Sequence, residues 1–288
     1  MTLRRLIVNG DDFGISQEVN DAVILAYRHG ILTSTSLMVS GEAFEQAVQL
    51  AGENPGLAVG LHVTCACGRP VLPPVRLPHV VGKEGRFPVD PGVAGLNYFF
   101  SPGARKEIVK EIAAQFEKFA RTGLDFSHVD SHCHMHVHPV VLDAIVEIAK
   151  AYGIKRIRVP ADNFFSALPF LPSPVKSGAY AVVFKLLTRR MKRILSSRGF
   201  IFPRTVYGNL MTGHMSLQYV LRLLDNLREG TSELYLHPAL PREADGKADA
   251  RRVQCSRELS ILIHPEVRHK IARSQVRLST YRDLDKQI

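Results

Sequence analysis

The stretch LIVNGDDFGI, residues 6–15, runs an apolar strand directly into two adjacent acids and a glycine turn. A short, continuously apolar strand of this kind is typical of a parallel sheet, both of whose faces are covered. Two like charges at the end of a buried strand lower stability unless a neighbouring group binds them. Asp11 and Asp12 are therefore either a polar turn that caps the next helix or part of a functional site.

Strand and helix patterns alternate along the rest of the chain. Ser16 is placed to cap a helix that has Glu18 in its first turn. Pro139 occupies the favoured first position of a later helix, which Gly153 ends. The predicted strands are 4–10, 31–41, 56–64, 127–134, 154–160, 232–238 and 275–284. The predicted helices are 17–30, 43–55, 104–123, 139–153, 216–230 and 255–263.

This alternation predicts an α/β fold with a parallel sheet. About seven strand–helix units favour a (β/α) barrel, TIM-like and irregular or incomplete, while an open doubly wound sheet is the alternative. A chain of 288 residues suits a single domain over 1–288. Two insertions are expected in it: a Pro- and Gly-rich loop or lid at 70–104, and an apolar, basic stretch at 164–202.

The formal net charge of +10 is unevenly distributed along the chain. Lysine and arginine are concentrated at 185–200 and again toward the C-terminus, a pattern that raises the question of an anionic partner. The sequence has no RNA-binding signature, zinc-finger spacing or tryptophan, so we expect no nucleic-acid partner. A solvated basic face is the simplest interpretation, and the sequence leaves the oligomeric state open.

Targeting and redox features favour the cytosol. The N-terminal apolar run is shorter than the core of a signal peptide, and no stretch reaches the roughly 18 apolar residues of a membrane span. The four cysteines are too few and too irregularly spaced for a disulfide framework. We therefore expect a cytoplasmic protein that is at most peripheral on the inner face of the membrane.

Acids and histidines lie at the ends of several predicted strands, where parallel barrels place their functional residues. Asp11 and Asp12 end the first strand, His62 ends the third, and His237 ends the strand at 232–238. Six further side chains share one parity, which on a strand means one face. They are His128, Asp130, His132, His134, His136 and His138. The run is too long for one barrel strand, so the later histidines are expected in the following loop.

One aspartate with two histidines suits zinc or another divalent metal with an open position for water. Such a metal lowers the pKa of its water and polarises a carbonyl, and a second carboxylate nearby can act as general base. Of two adjacent aspartates, one would then bind the metal and the other would accept the proton. Both can face the site only at a turn, because successive strand residues point apart. Cys65, Cys67 and Cys133 lie nearby and are expected to be small buried residues.

Taken together, these motifs resemble those of the YdjC-like carbohydrate deacetylases. LIVNGDDFG, GLAVGLHV, HVDSHCHMH and SELYLHP follow in the order of that family, and RELSILIHPEV and VRLSTYRDL are similar to its C-terminal end. Gly10 stands where alanine is common. Within the family, GRPVLPP and NYFFSPGARKEIVKEIAAQFEKFARTGL resemble the hopanoid-biosynthesis-associated branch, from which TCAC after His62 departs.

The resemblance implies that one divalent metal ion, zinc or magnesium, is held by Asp12, His62 and His132. It implies that Asp11 is the general base and that His237 protonates the departing amine. The reaction implied is hydrolysis of an N-acetyl group from an amino sugar, which releases acetate. His237 must be protonated to act as an acid, so a neighbouring carboxylate would have to offset its burial near a cation.

Other side chains of the motifs have less specific roles in this resemblance. Arg158 is similar to the arginine that orients the base in related polysaccharide deacetylases, and a plain surface or barrel-lining arginine is the alternative. Asp130, His134 and His136 are candidates for orienting the ligands or contacting the substrate.

The hopanoid-associated branch implies an amino sugar carried on a large polycyclic lipid. As a helix, the 164–202 stretch has six Lys and Arg residues over 185–198. Its shared apolar face would contain Phe184, Leu187, Met191, Ile194 and Leu195. A basic amphipathic helix can lie on an anionic membrane, so peripheral membrane contact through 185–198 is one expectation and an ordinary barrel helix the other. Soluble chito-oligosaccharides as substrate, a metal phosphoesterase and a non-catalytic sugar- or lipid-binding protein are the competing functions.

Overall fold

The computed structural model describes residues 4–241 and 250–287. Within these ranges one parallel sheet has seven strands: β1 (Arg4–Phe13), β2 (Ser34–Leu37), β3 (Ala58–Val63), β4 (Val129–Ser131), β5 (Thr205–Tyr207), β6 (Gly230–Leu236) and β7 (Val276–Ser279). The α-helices of the same ranges are α1 (Gln17–His29), α2 (Phe44–Glu53), α3 (Pro91–Phe100), α4 (Pro102–Ala120), α5 (Pro139–Ala151), α6 (Phe164–Ala167), α7 (Pro174–Ser197), α8 (Leu217–Asp225), α9 (Ala250–Leu262) and α10 (Pro265–Arg273). Short 3₁₀ turns are Pro74–Arg76, His132–Val137, Leu168–Phe170, Asn209–Met211 and Tyr281–Gln287.

The central strand of the sheet is β1. The strand order is β4-β3-β2-β1-β6-β5, and every neighbouring pair is parallel. One edge of β1 pairs with β6 over residues 4–10. The other edge is shared, because β2 pairs with its C-terminal half from Asn9 to Phe13 and β7 pairs with Arg4–Ile7.

The sheet curls into an incomplete barrel whose gap lies between β4 and β5. The segment 155–161 crosses this gap and bonds to both sides of it. The Arg158 N–H donates to the Val129 carbonyl at 3.0 Å, and the Val206 N–H donates to the Ala161 carbonyl at 3.3 Å. The predicted α/β barrel, TIM-like and incomplete, is therefore confirmed.

Two strand assignments from the sequence differ from the structure. The predicted strand at 154–160 makes only isolated bridges, with Val129 and Ile201, because Pro160 has no amide hydrogen with which to extend a ladder. The short β5 takes the place next to β6 and was not predicted, since three residues are too few to show a period. The predicted helix starts are confirmed at Ser16, whose hydroxyl accepts from the Val19 N–H at 3.4 Å, and at Pro139.

Apolar residues on one face of β1 pack against the helices, and polar ones face the barrel interior. Leu6 and Val8 are fully buried in the same cluster as Val23 of α1. Burying an aliphatic side chain of this size contributes about 1.5–3 kcal/mol. Asn9 and Asp11, of the opposite parity, are also buried. The interior of the barrel is therefore polar at the C-terminal end of its central strand.

The predicted insertion at 70–104 contains α3 as well as loop. Asp90 caps this helix by accepting hydrogen bonds from the backbone N–H groups of Gly92 and Val93. Three polar side chains of α4, spaced four residues apart, bond to the backbone of the loop that follows β3; they are Glu107, Glu111 and Gln115. The backbone groups that they bind, at 2.8–2.9 Å, belong to Thr64, Val71, Leu72 and His79.

The apolar, basic stretch at 164–202 forms the short α6 and the long α7. On the face predicted to contact a membrane, Met191 and Leu195 are fully buried, so this end of α7 packs on the barrel as an ordinary helix does. The exposed apolar side chains of α7 lie nearer its N-terminal half and include Val182, Val183 and Leu186. No helix within residues 4–241 and 250–287 is long and apolar enough to cross a membrane.

Candidate metal and catalytic site

A left-handed turn at Asp12 brings two neighbouring carboxylates to one site. Asp12 has φ 67°, and the pairing register of β1 with β2 shifts between Gly10 and Phe13. This turn breaks the alternation that would otherwise send Asp11 and Asp12 to opposite faces. A non-glycine residue in this region loses roughly 1–2 kcal/mol, so its surroundings must hold it there. The turn that the sequence required is therefore present.

The structure brings together Asp12, His62 and His132, the three residues that the family resemblance implied as metal ligands. The Asp12 Oδ1 atom lies 2.7 Å from Nδ1 of His132 and 3.3 Å from Nε2 of His62. One donor atom from each residue falls within a group whose members are at most 4.8 Å apart, and all three side chains are buried. A carboxylate and two imidazoles converging in this way form a donor set that fits a divalent metal ion.

A second carboxylate fixes the orientation of His62. Its Nδ1 lies 2.6 Å from Oδ1 of Asp130, which leaves Nε2 directed toward Asp12. Asp130 is itself held, because Oδ2 accepts the hydroxyl of Ser36 at 2.8 Å and lies 2.7 Å from Nη1 of Arg158. A carboxylate behind a histidine is the usual arrangement around a metal-binding imidazole.

Neighbouring carboxylates raise the pKa values of both histidines, and the histidines lower the pKa of Asp12. Burial alone would lower the pKa of His62, but Asp130 and Asp12 outweigh it and raise this pKa well above its ordinary value. Burial would also lower the pKa of His132, but Asp12 outweighs this effect and raises the pKa to about 9. Burial would raise the pKa of Asp12, and His132 and His62 hold it well below its ordinary value. A cation bound here would replace the protons that the two imidazoles otherwise carry. Its binding would therefore release protons and would weaken at low pH.

Arg158 holds Asp11 through two parallel hydrogen bonds. Nη1 donates to Oδ2 and Nη2 to Oδ1, each at 2.7 Å, and the amide of Asn9 donates to Oδ1 at 2.8 Å. Arg158 is fully buried, so it is not a surface arginine. A second group of close donor atoms contains Asp11, His62 and Asp130. Arg158 already binds both of its carboxylates, which makes the group around Asp12 the better metal site.

His237 lies beside a carboxylate that the sequence analysis did not identify. Its Nδ1 is 3.8 Å from Oε2 of Glu258 on α9, and its backbone N–H donates to the same oxygen at 2.6 Å. Burial would lower the pKa of His237, but Glu258, with a contribution from Asp12, raises it to about 9. The imidazole is 26% exposed and can therefore reach a ligand. The neighbouring carboxylate that an acidic role requires is thus present.

The remaining histidines of the motif lie outside the donor group. The chain leaves β4 at Ser131, and the following 3₁₀ turn carries His134 and His136, as expected for the loop. His134 contacts the hydroxyl of Tyr235 through Nε2 at 2.9 Å, and His136 contacts the Ser131 hydroxyl through Nδ1 at 2.5 Å. Cys133 in this turn is exposed, contrary to expectation, because the two successive left-handed residues Cys133 and His134 (both φ 53°) leave His134 buried and Cys133 at the surface.

The other two cysteines near the site differ from one another. Cys65 is buried, as expected. Cys67 is only half-buried and also has a left-handed backbone, at φ 55°.

Several polar residues of the site were missed in the sequence. They are Asn9, Ser36, Glu233, Tyr235 and Glu258, and Arg251, whose Nη2 lies 3.9 Å from Oδ2 of Asp12. Parity could have identified three of them, since Asn9 alternates with Asp11 along β1, and Glu233 and Tyr235 alternate with His237 along β6.

Comparison with known proteins identifies the family. The family model described as YdjC-like protein matches residues 5–273. The chain belongs to the YdjC-like family. A carbohydrate deacetylase of Brevibacillus brevis is 33% identical to this YdjC-like protein over 282 residues, covering 97% of this chain and 99% of that protein. A chitooligosaccharide deacetylase of Salmonella paratyphi B is 34% identical over 184 residues, covering 60% of this chain and 66% of that one.

The fold of this YdjC-like protein is shared with a solved structure. The crystal structure of a proposed cellobiose-phosphate cleavage protein of Enterococcus faecalis superimposes with a TM-score of 0.76. The two sequences are 23% identical, and the match covers 98% of this chain and 99% of the other. This likeness shows that the two proteins share the barrel architecture, and only that.

Asp130→Asn tests whether the donor group binds a metal. Because the carboxylate that orients His62 is lost, we expect the affinity for Zn²⁺ or Mg²⁺ to fall about 10- to 100-fold. Isothermal titration calorimetry of chelator-treated protein measures it. Asp225→Asn, at a surface ion pair with Lys270, is the matched control and should leave affinity unchanged. Equal affinity in wild type and Asp130→Asn would contradict the assignment.

Proposed function

We propose that this YdjC-like protein hydrolyses the N-acetyl group of an amino sugar and releases acetate and a free amine. The observation that carries this proposal is the different surroundings of two adjacent carboxylates at the end of β1. Asp12 converges with two imidazoles while the adjacent Asp11 is held apart by Arg158. The names of the relatives in Brevibacillus brevis and Salmonella paratyphi B support the same chemistry.

In this proposal Asp12, His62 and His132 hold one divalent ion, zinc or magnesium, and the two imidazoles favour zinc. When bound, such an ion lowers the pKa of a water molecule and polarises the acetamide carbonyl. Arg158 fixes both oxygens of Asp11, so that the carboxylate is oriented to accept a proton from the attacking water. The carbon–nitrogen bond then breaks as the protonated imidazole of His237 donates a proton to the sugar nitrogen.

Acetate release by wild type and Asp11→Asn is the experiment that tests the proposal. An asparagine cannot accept the proton, so kcat should fall by about 10²- to 10⁴-fold. Metal affinity should stay within a few-fold, because Asp12 and the imidazoles remain. Asp225→Asn again serves as the control and should match wild type. Activity of Asp11→Asn within a few-fold of wild type would show that Asp11 is not the base.

The pH dependence of kcat reports on Glu258. A general acid must be protonated, so activity is present below the pKa of His237 and is lost as pH rises through it. Glu258→Gln removes the carboxylate that raises this pKa, so the alkaline limb should move to lower pH by about one unit or more. The exposed Glu266→Gln provides the control, and both variants are measured with metal bound. An unmoved limb in Glu258→Gln would assign the acid to another group.

We further propose that the acetylated sugar is linked to a lipid and is taken from an anionic membrane surface. The support is apolar surface on both sides of the site. On α3, Leu96 and Phe100 are 62% and 74% exposed, and α7 exposes Val182, Val183 and Leu186. Exposed apolar groups in such number are typical of a membrane or partner contact.

The two helices flank the turn that carries the histidines. The Phe99 ring of α3 lies edge-on to His138 at 6.2 Å, and the Phe184 ring of α7 lies edge-on to His134 at 6.3 Å. A cavity of about 660 Å³ beside α6 and α7 is lined in part by Phe164 and Phe184. Charged side chains, among them Asp162, Lys185 and Arg228, line other parts of this cavity, and in this proposal its apolar side receives the apolar part of the substrate. The proposed contact therefore centres on 182–190 rather than on the whole of 185–198.

Vesicle binding and substrate preference test the lipid linkage. Arg189→Glu/Arg190→Glu should abolish co-sedimentation with vesicles rich in anionic phospholipid, whereas Arg268→Glu/Arg273→Glu on α10 should not. Wild type should release acetate faster from an N-acetylglucosaminyl lipid than from diacetylchitobiose. Preference for diacetylchitobiose without vesicle binding would instead make the protein a deacetylase of soluble oligosaccharides, as the Salmonella relative is named.

A further inference from the structure

The guanidinium of Arg158 is shared among three carboxylates from three strands. Besides Asp11 on β1 and Asp130 on β4, it binds Glu233 on β6. Nε donates to Oε1 of Glu233 at 2.9 Å, and Nη2 donates to the same oxygen at 2.6 Å. The contact with Glu233 lies on the edge of the guanidinium opposite Nη1, which faces Asp130. Arg158 is therefore held from both sides as it presents its fork to Asp11.

Glu233 is anchored in turn by a residue close to the C-terminus. Its Oε2 accepts the hydroxyl of Tyr281, which lies in the 3₁₀ turn Tyr281–Gln287 and is fully buried. The Tyr281 ring stacks on the imidazole of His128, with ring centroids 3.8 Å apart and an interplanar angle of 8°. β3 leaves room for this imidazole at Gly60, where a Cβ atom would lie 2.4 Å from Nδ1 of His128.

The contacts close into a ring that contains Arg158, whose guanidinium binds Asp11. Nε2 of His128 lies 3.2 Å from the hydroxyl of Ser36, and this hydroxyl donates to Asp130. Asp130 and Glu233 then meet again at Arg158. Every member is buried, so the ring excludes the water that could otherwise replace any of its bonds. Such a network fixes one arrangement when every group in it is paired.

We infer that Tyr281 and Glu233 are positioning residues for Asp11, acting through Arg158. The inference rests on the proposed function, because it assigns Asp11 as the base. With the Tyr281 hydroxyl in place, Glu233 holds Nε and one side of Nη2, and the guanidinium cannot rotate away from Asp11. Without it, a buried carboxylate oxygen loses its donor, and Glu233 and Arg158 must rearrange to satisfy it. Small displacements of a catalytic group by about 1 Å lower rates up to about 100-fold.

Tyr281→Phe tests this role because it removes the hydroxyl and keeps the ring that stacks on His128. Tyr219→Phe is the matched control, since the Tyr219 hydroxyl is buried and has no hydrogen-bond partner in the described part of the chain. We expect Tyr281→Phe to lower kcat about ten-fold, with KM and metal affinity unchanged. Tyr219→Phe should leave all three unchanged. A purely structural role would not separate kcat from KM in this way.

A second readout does not depend on activity. Hydrogen exchange of the Arg158 Nε–H, followed by NMR of arginine-labelled protein, should accelerate at least ten-fold in Tyr281→Phe and remain slow in Tyr219→Phe. Glu233→Gln, which keeps an oxygen for Arg158, should retain more of the wild-type kcat than Glu233→Ala. This pair also tests the inference if Tyr281→Phe does not fold.

Three results would overturn the inference. They are a kcat for Tyr281→Phe within two-fold of wild type, an equal loss in Tyr219→Phe, and unchanged Arg158 exchange in Tyr281→Phe. A wild-type protein that releases no acetate from any acetylated amino sugar would instead overturn the proposed function. In that case the exchange measurement still decides whether Tyr281 anchors Arg158, so the two failures are distinguishable.

Discussion

The site depends on one constraint of strand geometry and on the turn that overcomes it. A strand cannot direct two successive side chains to the same side, yet the proposed reaction requires the adjacent Asp11 and Asp12 to reach one site, the first to accept a proton and the second to bind the cation. The left-handed backbone of Asp12 meets this requirement in a single residue. Asp11 keeps the inward direction of the strand and meets Arg158, while Asp12 turns toward His62 and His132.

The barrel interior near this turn contains four buried carboxylates and a buried arginine. Asp11, Asp12, Asp130 and Glu233 are all buried, and one buried arginine contacts three of them. Buried carboxylates without partners are strongly destabilising, so each of the four requires a specific bond. Arg158 satisfies the three that lie around its guanidinium, and the two imidazoles bind the fourth. A divalent cation at Asp12 would add positive charge beside the one carboxylate that Arg158 does not contact. A cation between Asp11 and Asp130 would instead compete with Arg158.

The sequence predicted the residues at strand ends better than the residues that support them. The acids and histidines that end the strands could be expected at one rim because parallel strands meet there, and the family resemblance then selected Asp12, His62 and His132 among them. Glu258 could not be placed in this way, because its contact with His237 depends on how α9 packs against the end of β6. Tyr281 was assigned to a strand, and the last strand ends two residues before it, at Ser279. The exposed Cys133 depends on a backbone conformation that its residue type does not favour.

Predictions from local sequence patterns were also least accurate where the barrel is least regular. The helices α1 and α5 begin where Ser16 and Pro139 predicted, since capping is a property of a few neighbouring residues. The segment 154–160 has the composition of a strand, but its position in the gap between β4 and β5 limits it to isolated bridges. Besides the missing amide hydrogen of Pro160, the arrangement of the neighbouring strands decides this, and no periodicity within seven residues contains that information.

The way α4 holds the loop after β3 has a consequence for how this protein family can diversify. Glu107, Glu111 and Gln115 bind main-chain groups of the loop at residues 64–79, and the hydrogen bonds that α4 makes to Thr64, Val71 and Leu72 use no loop side chain. Every residue except proline has such an N–H group. The half-buried side chains of Val71 and Leu72 can therefore vary while these hydrogen bonds, and with them the path of the loop, are kept. Such variation would alter the surface of the loop and leave undisturbed the strand end that carries His62.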